Sequence, residues 1–171
     1  MTHRLLGLGL LAASLWAADP GDWTKYRGPK DDGVAVGDAP LEWSDTKGVA
    51  WKVTIPGRGH SSPVLWGNRI FVTTAVPVEA PAAAATPASA EGGPGGRRGG
   101  GGGAGKDRDH QLLVMCLDAK SGKILWQKEA AVAKPHEGYH FRYGSFASNS
   151  PTTDGKNVYA SFGSFGLYVY D

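Results

Sequence analysis

A segment that recurs within one chain constrains the fold more than any single motif, because both copies must adopt the same local structure. Here Ser62-Pro63-Val64-Leu65-Trp66-Gly67-Asn68-Arg69-Ile70-Phe71-Val72 aligns with Ser150-Pro151-Thr152-Thr153-Asp154-Gly155-Lys156-Asn157-Val158-Tyr159-Ala160, an offset of 88 residues. Further on, Leu113-Val114-Met115-Cys116-Leu117-Asp118 aligns with Gly166-Leu167-Tyr168-Val169-Tyr170-Asp171 at an offset of 53, and the two offsets differ by 35. One insertion inside the first copy explains both numbers. The composition changes from Val78 to about Asp109, and the insertion is placed at 76–110, where an Ala/Pro run passes into a glycine-rich stretch around Arg97-Arg98. Such a stretch cannot bury enough apolar surface to offset its ordering entropy, so a disordered surface excursion is expected.

Each copy reads as paired strands. Gly67-Asn68 and Asp154-Gly155 are hairpin turn signals, and Ile70–Thr74 and Val158–Ser161 are rich in β-branched and aromatic residues. Gln111–Asp118 supplies a third strand, Asp118–Lys123 a reversal, and Ile124–Lys128 a fourth strand. Trp51 to Trp126 spans 75 residues, and removing the 35 inserted leaves 40, the period of a four-stranded propeller blade. The 26 glycines and 6 tryptophans against 2 methionines suit twisted sheets with glycine turns better than packed helices. The expected fold is therefore all-β: a β-propeller of four-stranded antiparallel blades, about two of them within 51–171, preceded by an amino-terminal extension at 19–50. The rest of the ring is expected beyond Asp171.

The run Leu117-Asp118-Ala119-Lys120-Ser121-Gly122-Lys123-Ile124-Leu125-Trp126 resembles the tryptophan docking motif of pyrroloquinoline-quinone (PQQ) type propellers. In that motif a leucine or alanine, an aspartate, a Thr/Ser-Gly-Lys turn and a tryptophan recur in each blade. Trp51–Pro63 with Gly67–Phe71, and Ser145–Pro151, are similar to bacterial PQQ-binding-like repeats. The resemblance implies structural roles for Asp118 in shaping the turn, Gly122 in taking positive φ, and Trp126 in stacking between neighbouring blades. It is specific for the repeat and not for an activity.

Quinoprotein dehydrogenases of this family hold PQQ over the propeller axis with calcium, a catalytic aspartate and, in one group, a disulfide between adjacent cysteines. The single cysteine, Cys116, forms no such pair and lies in an apolar run, where it reads as core. No catalytic residue, cofactor-binding residue or metal ligand is assigned, and PQQ with calcium would need ligands from further blades. His136, Glu137 and His140 offer ligand chemistry, but no regular element fixes their spacing, and scattered surface histidines are the simpler reading. Arg58 and His60 lead into the first repeat and His140 and Arg142 into the second, so these four are the candidate ligand contacts at the mouth of a central channel.

Residues 1–18, with His3-Arg4, the apolar run Leu5–Trp16 and Ala17-Ala18, match a secretory signal peptide too short to span a bilayer. Without a cysteine behind it for lipid attachment, a periplasmic or secreted protein is expected. A net charge of +2 singles out neither nucleic acid nor an anionic membrane as partner. The expected function is an envelope binding or scaffold module, like the outer-membrane assembly factor built on this repeat, with an unidentified protein or small-molecule partner. A quinoprotein alcohol or sugar dehydrogenase is the alternative, followed by a propeller-fold hydrolase or polysaccharide-binding protein.

Overall fold

The computed structural model describes residues 21–37, 40–78, 105–140 and 142–171. The expected leader at 1–18 and the glycine-rich body of the insertion at 79–104 lie outside them. The described chain is all-β, with antiparallel sheets and a single turn of 3-10 helix at Gly163–Phe165. The first sheet is a meander of β1 (Val64–Trp66), β2 (Arg69–Pro77), β3 (His110–Asp118) and β4 (Ile124–Ala133), hydrogen-bonded in that order. The second repeats the arrangement with β5 (Thr152–Thr153), β6 (Val158–Ser161) and β7 (Leu167–Tyr170).

At the ends of the interval 76–110, Val76, Pro77 and His110 belong to strands, whereas the composition change from Val78 to about Asp109 falls between them. Val76 pairs with Gln111 and Pro77 with His110, so the β2–β3 ladder runs past 76 and resumes at 110. Pairing continues as long as facing backbone groups can satisfy one another, whatever the side chains. The fourth strand likewise extends beyond Lys128 to Ala133.

Because side chains alternate across a strand, the near-continuous apolar run of β3 demands burial on both faces. Leu112, Val114 and Cys116 join Phe71 and Ala75 on one face, where they meet Val158, Ala160 and Phe162 of the second sheet. Leu113, Met115 and Leu117 fill the other face and are buried as well. There Thr74 donates its hydroxyl to the Pro56 carbonyl at 2.6 Å, fixing the chain that leads into the first repeat. Burial pushes the Cys116 thiol pKa up, which keeps it a neutral core group. β4 closes the outer edge with Gln127, Lys128 and Glu129 exposed, charges that discourage pairing with another chain.

Residues 22–24 of the amino-terminal extension pair with both sheets. Trp23 and Leu65 exchange backbone hydrogen bonds of 2.9 and 2.7 Å, and the Thr24 carbonyl accepts from the Thr153 N–H at 3.0 Å. Asp22, itself buried, accepts from the Gly67 N–H at 2.6 Å. Residues 22–24 thus stitch the inner edges of both sheets together. Among the described residues no helix is long and apolar enough to cross a membrane.

Asp154 shapes the reversal between β5 and β6. Asp154 accepts from the backbone of Asn157 at 2.6 Å, from the Tyr159 hydroxyl at 2.8 Å and from the backbone of Lys156 at 2.9 Å. These bonds, the Asn157 backbone N–H first, hold its carboxyl well below the usual aspartate range. His110 is shifted for the opposite reason. Burial outweighs its Nδ1 contact with the Arg108 carbonyl and the influence of Asp109, and lowers its pKa. In both cases the folded pKa is depressed, so the stabilisation is present above the unfolded value and is lost as pH falls through the folded one. Acid unfolding should therefore begin with a His110 step below about pH 6.5 and continue with an aspartate step below about pH 4. Thermal unfolding across this range should show H110Q removing the upper step and D154N reducing the lower one.

Candidate binding site

The segments that lead into the two repeats, 55–62 and 135–150, run side by side because each must deliver its chain to an inner strand. Arg58 pairs with Ala75 through backbone hydrogen bonds of 2.9 and 3.1 Å, extending the inner edge of β2 beyond β1. Its guanidinium carbon lies 5.1 Å from the centre of the Tyr139 ring, a cation–π contact that ties the first segment to the second. Two residues on, the His60 N–H reaches the Ala147 carbonyl at 3.1 Å. The Ser62 N–H then donates to the Ser150 hydroxyl at 2.8 Å. Ser62 and Ser150 are equivalent positions of the repeat, so the two copies touch along corresponding residues. Thr73, buried beneath them, bonds the Ser61 hydroxyl at 2.8 Å.

The four candidate mouth residues are therefore near one another in part. Arg58 meets the Tyr139 ring, next to His140, while the His140 ring stacks on Tyr143 with centroids 4.9 Å apart and accepts the Arg142 N–H at 3.3 Å. His60, His140 and Arg142 are exposed, and the His60 imidazole hydrogen-bonds none of the described residues. The cleft beside them, of about 200 Å³, is lined instead by other residues of the β4–β5 connection and by the β6–β7 turn: His136, Tyr139, Phe146, Ser148, Asn149 and Phe165 line it. None of Arg58, His60, His140 and Arg142 lines this cleft, although Tyr139, the neighbour of His140, does.

Aromatic rings build the cleft. Phe146 meets Tyr139 edge-on with centroids 4.9 Å apart and backs onto the buried His110 at 4.8 Å. Phe165, carried by the 3-10 turn, faces His136 at 6.0 Å. Ser148 caps its own loop, accepting from the Ser145 N–H at 2.9 Å and donating to the Ser145 carbonyl at 2.8 Å. Asn149 directs its amide toward the Ser161 hydroxyl at 3.4 Å. Glu137 and Ser164 also border the space, and their side chains make no hydrogen bond to the described residues. Among the described residues no three His, Cys, Asp or Glu side chains stand where they could hold a metal ion.

The residues read as a docking motif are placed around the β3–β4 turn. Asp118 accepts from the Ser121 hydroxyl and N–H at 2.7 and 2.8 Å and from the Lys120 N–H at 3.1 Å, and its second oxygen takes the Asn68 amide. These bonds, led by the Ser121 hydroxyl, lower its pKa. Gly122 takes φ 71°, and the ring over it belongs to Trp51, whose indole N–H donates to the Ala119 carbonyl at 2.9 Å. Trp126 lies between the sheets, its ring 6.0 Å from Phe71 and 6.2 Å from Tyr170. A second indole, Trp66, covers Gly155 in the turn of the other sheet. The stacking of Trp51 and Trp66 on these glycines was not read from the motif, although each Asp-turn glycine offers a bare backbone face that a ring can cover.

No protein-family model matches the chain, and no curated protein matches it.

Proposed function

We propose that the two sheets are neighbouring blades of a PQQ-type β-propeller exported to the bacterial envelope, and that the protein works there as a binding module. The observation that carries this reading is the Ser62–Ser150 hydrogen bond, a contact between equivalent positions of adjacent repeats. Repeat-equivalent contacts arise when units are related by a rotation, as the blades of a ring are. The cleft of the β4–β5 connection is the binding surface. Its walls are rings, hydroxyls, an amide and the Glu137 carboxylate, while Asp118 and Asp154 spend their carboxylates on turns.

Export and lack of quinone chemistry are tested together by expressing the chain with its own leader in a bacterium. The expected result is protein in the periplasm or medium without residues 1–18, and no PQQ- and calcium-dependent dye reduction with alcohols or sugars. Cytoplasmic retention of the uncut chain would contradict the export. Dye reduction would contradict the binding-module reading in favour of a dehydrogenase.

A further inference from the structure

The geometry points to a neutral saccharide as the ligand of this cleft, an inference that rests on the binding-module reading and specifies it. At about 200 Å³ the space is smaller than the roughly 300–1,000 Å³ of pockets that enclose a drug-sized ligand, so it suits one ring of a longer chain whose neighbours stay in solvent.

Three features of the lining select the chemistry. First, Phe165 and Tyr139 stand among the walls, supplying apolar surface that the C–H face of a pyranose can cover. Second, the hydrogen-bonding groups are of both kinds. The Glu137 carboxylate accepts and the Ser164 hydroxyl does either, and neither is used within the described fold, while the Asn149 amide spends its N–H on a long 3.4 Å contact. A ring bearing several hydroxyls presents donors and acceptors at once, whereas a hydrocarbon would leave these groups unanswered. Third, neither Lys nor Arg is among the lining residues, and the carboxylate there is Glu137. Arg58 nearby is held against the Tyr139 ring. Phosphate or uronate groups would therefore meet a negative rather than a positive wall.

The test is calorimetric titration of the full chain with cellotriose, laminaritriose, maltotriose and chitotriose, with trigalacturonate and inorganic phosphate as anionic probes. One or more neutral trisaccharides should bind, and the anions should not. Because Phe165 packs partly on the core, the decisive variants are Glu137→Ala and Asn149→Ala, both at exposed positions. Each should weaken binding about tenfold, the loss of one good hydrogen bond, with unchanged thermal unfolding. Saccharide binding that ignores both variants would overturn the site. Binding of an anion that depends on these residues would overturn the ligand class while leaving the cleft as a binding site. Binding of no saccharide would overturn the inference and leave the exported module to be judged by its localisation and dye assay.

Discussion

Replacing Gly122 by alanine is expected to cost about 2–5 kcal/mol, enough to consume a large part of the roughly 5–15 kcal/mol that stabilises an ordinary domain. Two penalties combine. At φ 71° an L side chain strains the backbone by roughly 1–2 kcal/mol. A Cβ there would also stand 2.7 Å from Cδ2 of Trp51, so the ring must leave its seat and give up its bond to the Ala119 carbonyl. Chemical denaturation of a double-mutant cycle separates the two. In a Trp51→Ala background the same glycine substitution should cost only the backbone share, about 1–2 kcal/mol, because nothing remains for the Cβ to displace. Equal costs in both backgrounds would mean that Trp51 does not dock on this turn.

The second large effect is expected from β3. Leu112→Ala and Met115→Ala should each destabilise by about 2–5 kcal/mol, the range for emptying a closed core site. Leu112 is 1 % exposed and Met115 0 %, but they point to opposite faces. Leu112 belongs to the core cluster that includes Val158 and Ala160 of the second sheet, whereas Met115 faces the side on which Pro56 is anchored by Thr74. A strand with one solvated face would lose stability at only one of the two positions. Val169→Ala on β7, where the side chain is 52 % exposed, serves as the contrast and should cost less than about 1 kcal/mol. Urea midpoints of the three variants decide the matter.

The strands of both sheets were legible because the information that specifies them is local. Gly67-Asn68 and Asp154-Gly155 force reversals, the runs beside them are β-branched and aromatic, and the unbroken apolar stretch of β3 announces burial on both faces. The repeat extended that reading, since two copies of one pattern must pair alike. What escaped was set by distance rather than pattern. Trp23 contributes a single backbone pairing to Leu65, and Thr24 one carbonyl to Thr153, neither within a run whose alternation could reveal a strand. The ring over Gly122 comes from Trp51, earlier in the chain, whereas the motif in sequence associates that glycine with Trp126. At the cleft, Arg58, His60, His140 and Arg142 drew notice for their chemistry. None of these four lines the space, whereas Phe165 and Asn149 do, yet a phenylalanine after a glycine turn and an asparagine in a serine-rich loop carry no signal of their own.

The proposed propeller depends on one relation, that the second repeat packs directly beside the first. Trp66 ends β1 in the first sheet, and Gly155 turns the chain in the second; a Cβ on that glycine would lie 2.9 Å from Cη2 of the indole. Two protons on a bare Cα held against an aromatic face report that contact directly. In the proton NMR spectrum of the full chain, the Gly155 α-protons should be displaced well upfield by the indole ring current, and Trp66→Leu should return them toward ordinary positions. Unshifted Gly155 α-protons, with no cross-relaxation to the Trp66 ring, would show that the two repeats do not pack as neighbours and would contradict the propeller.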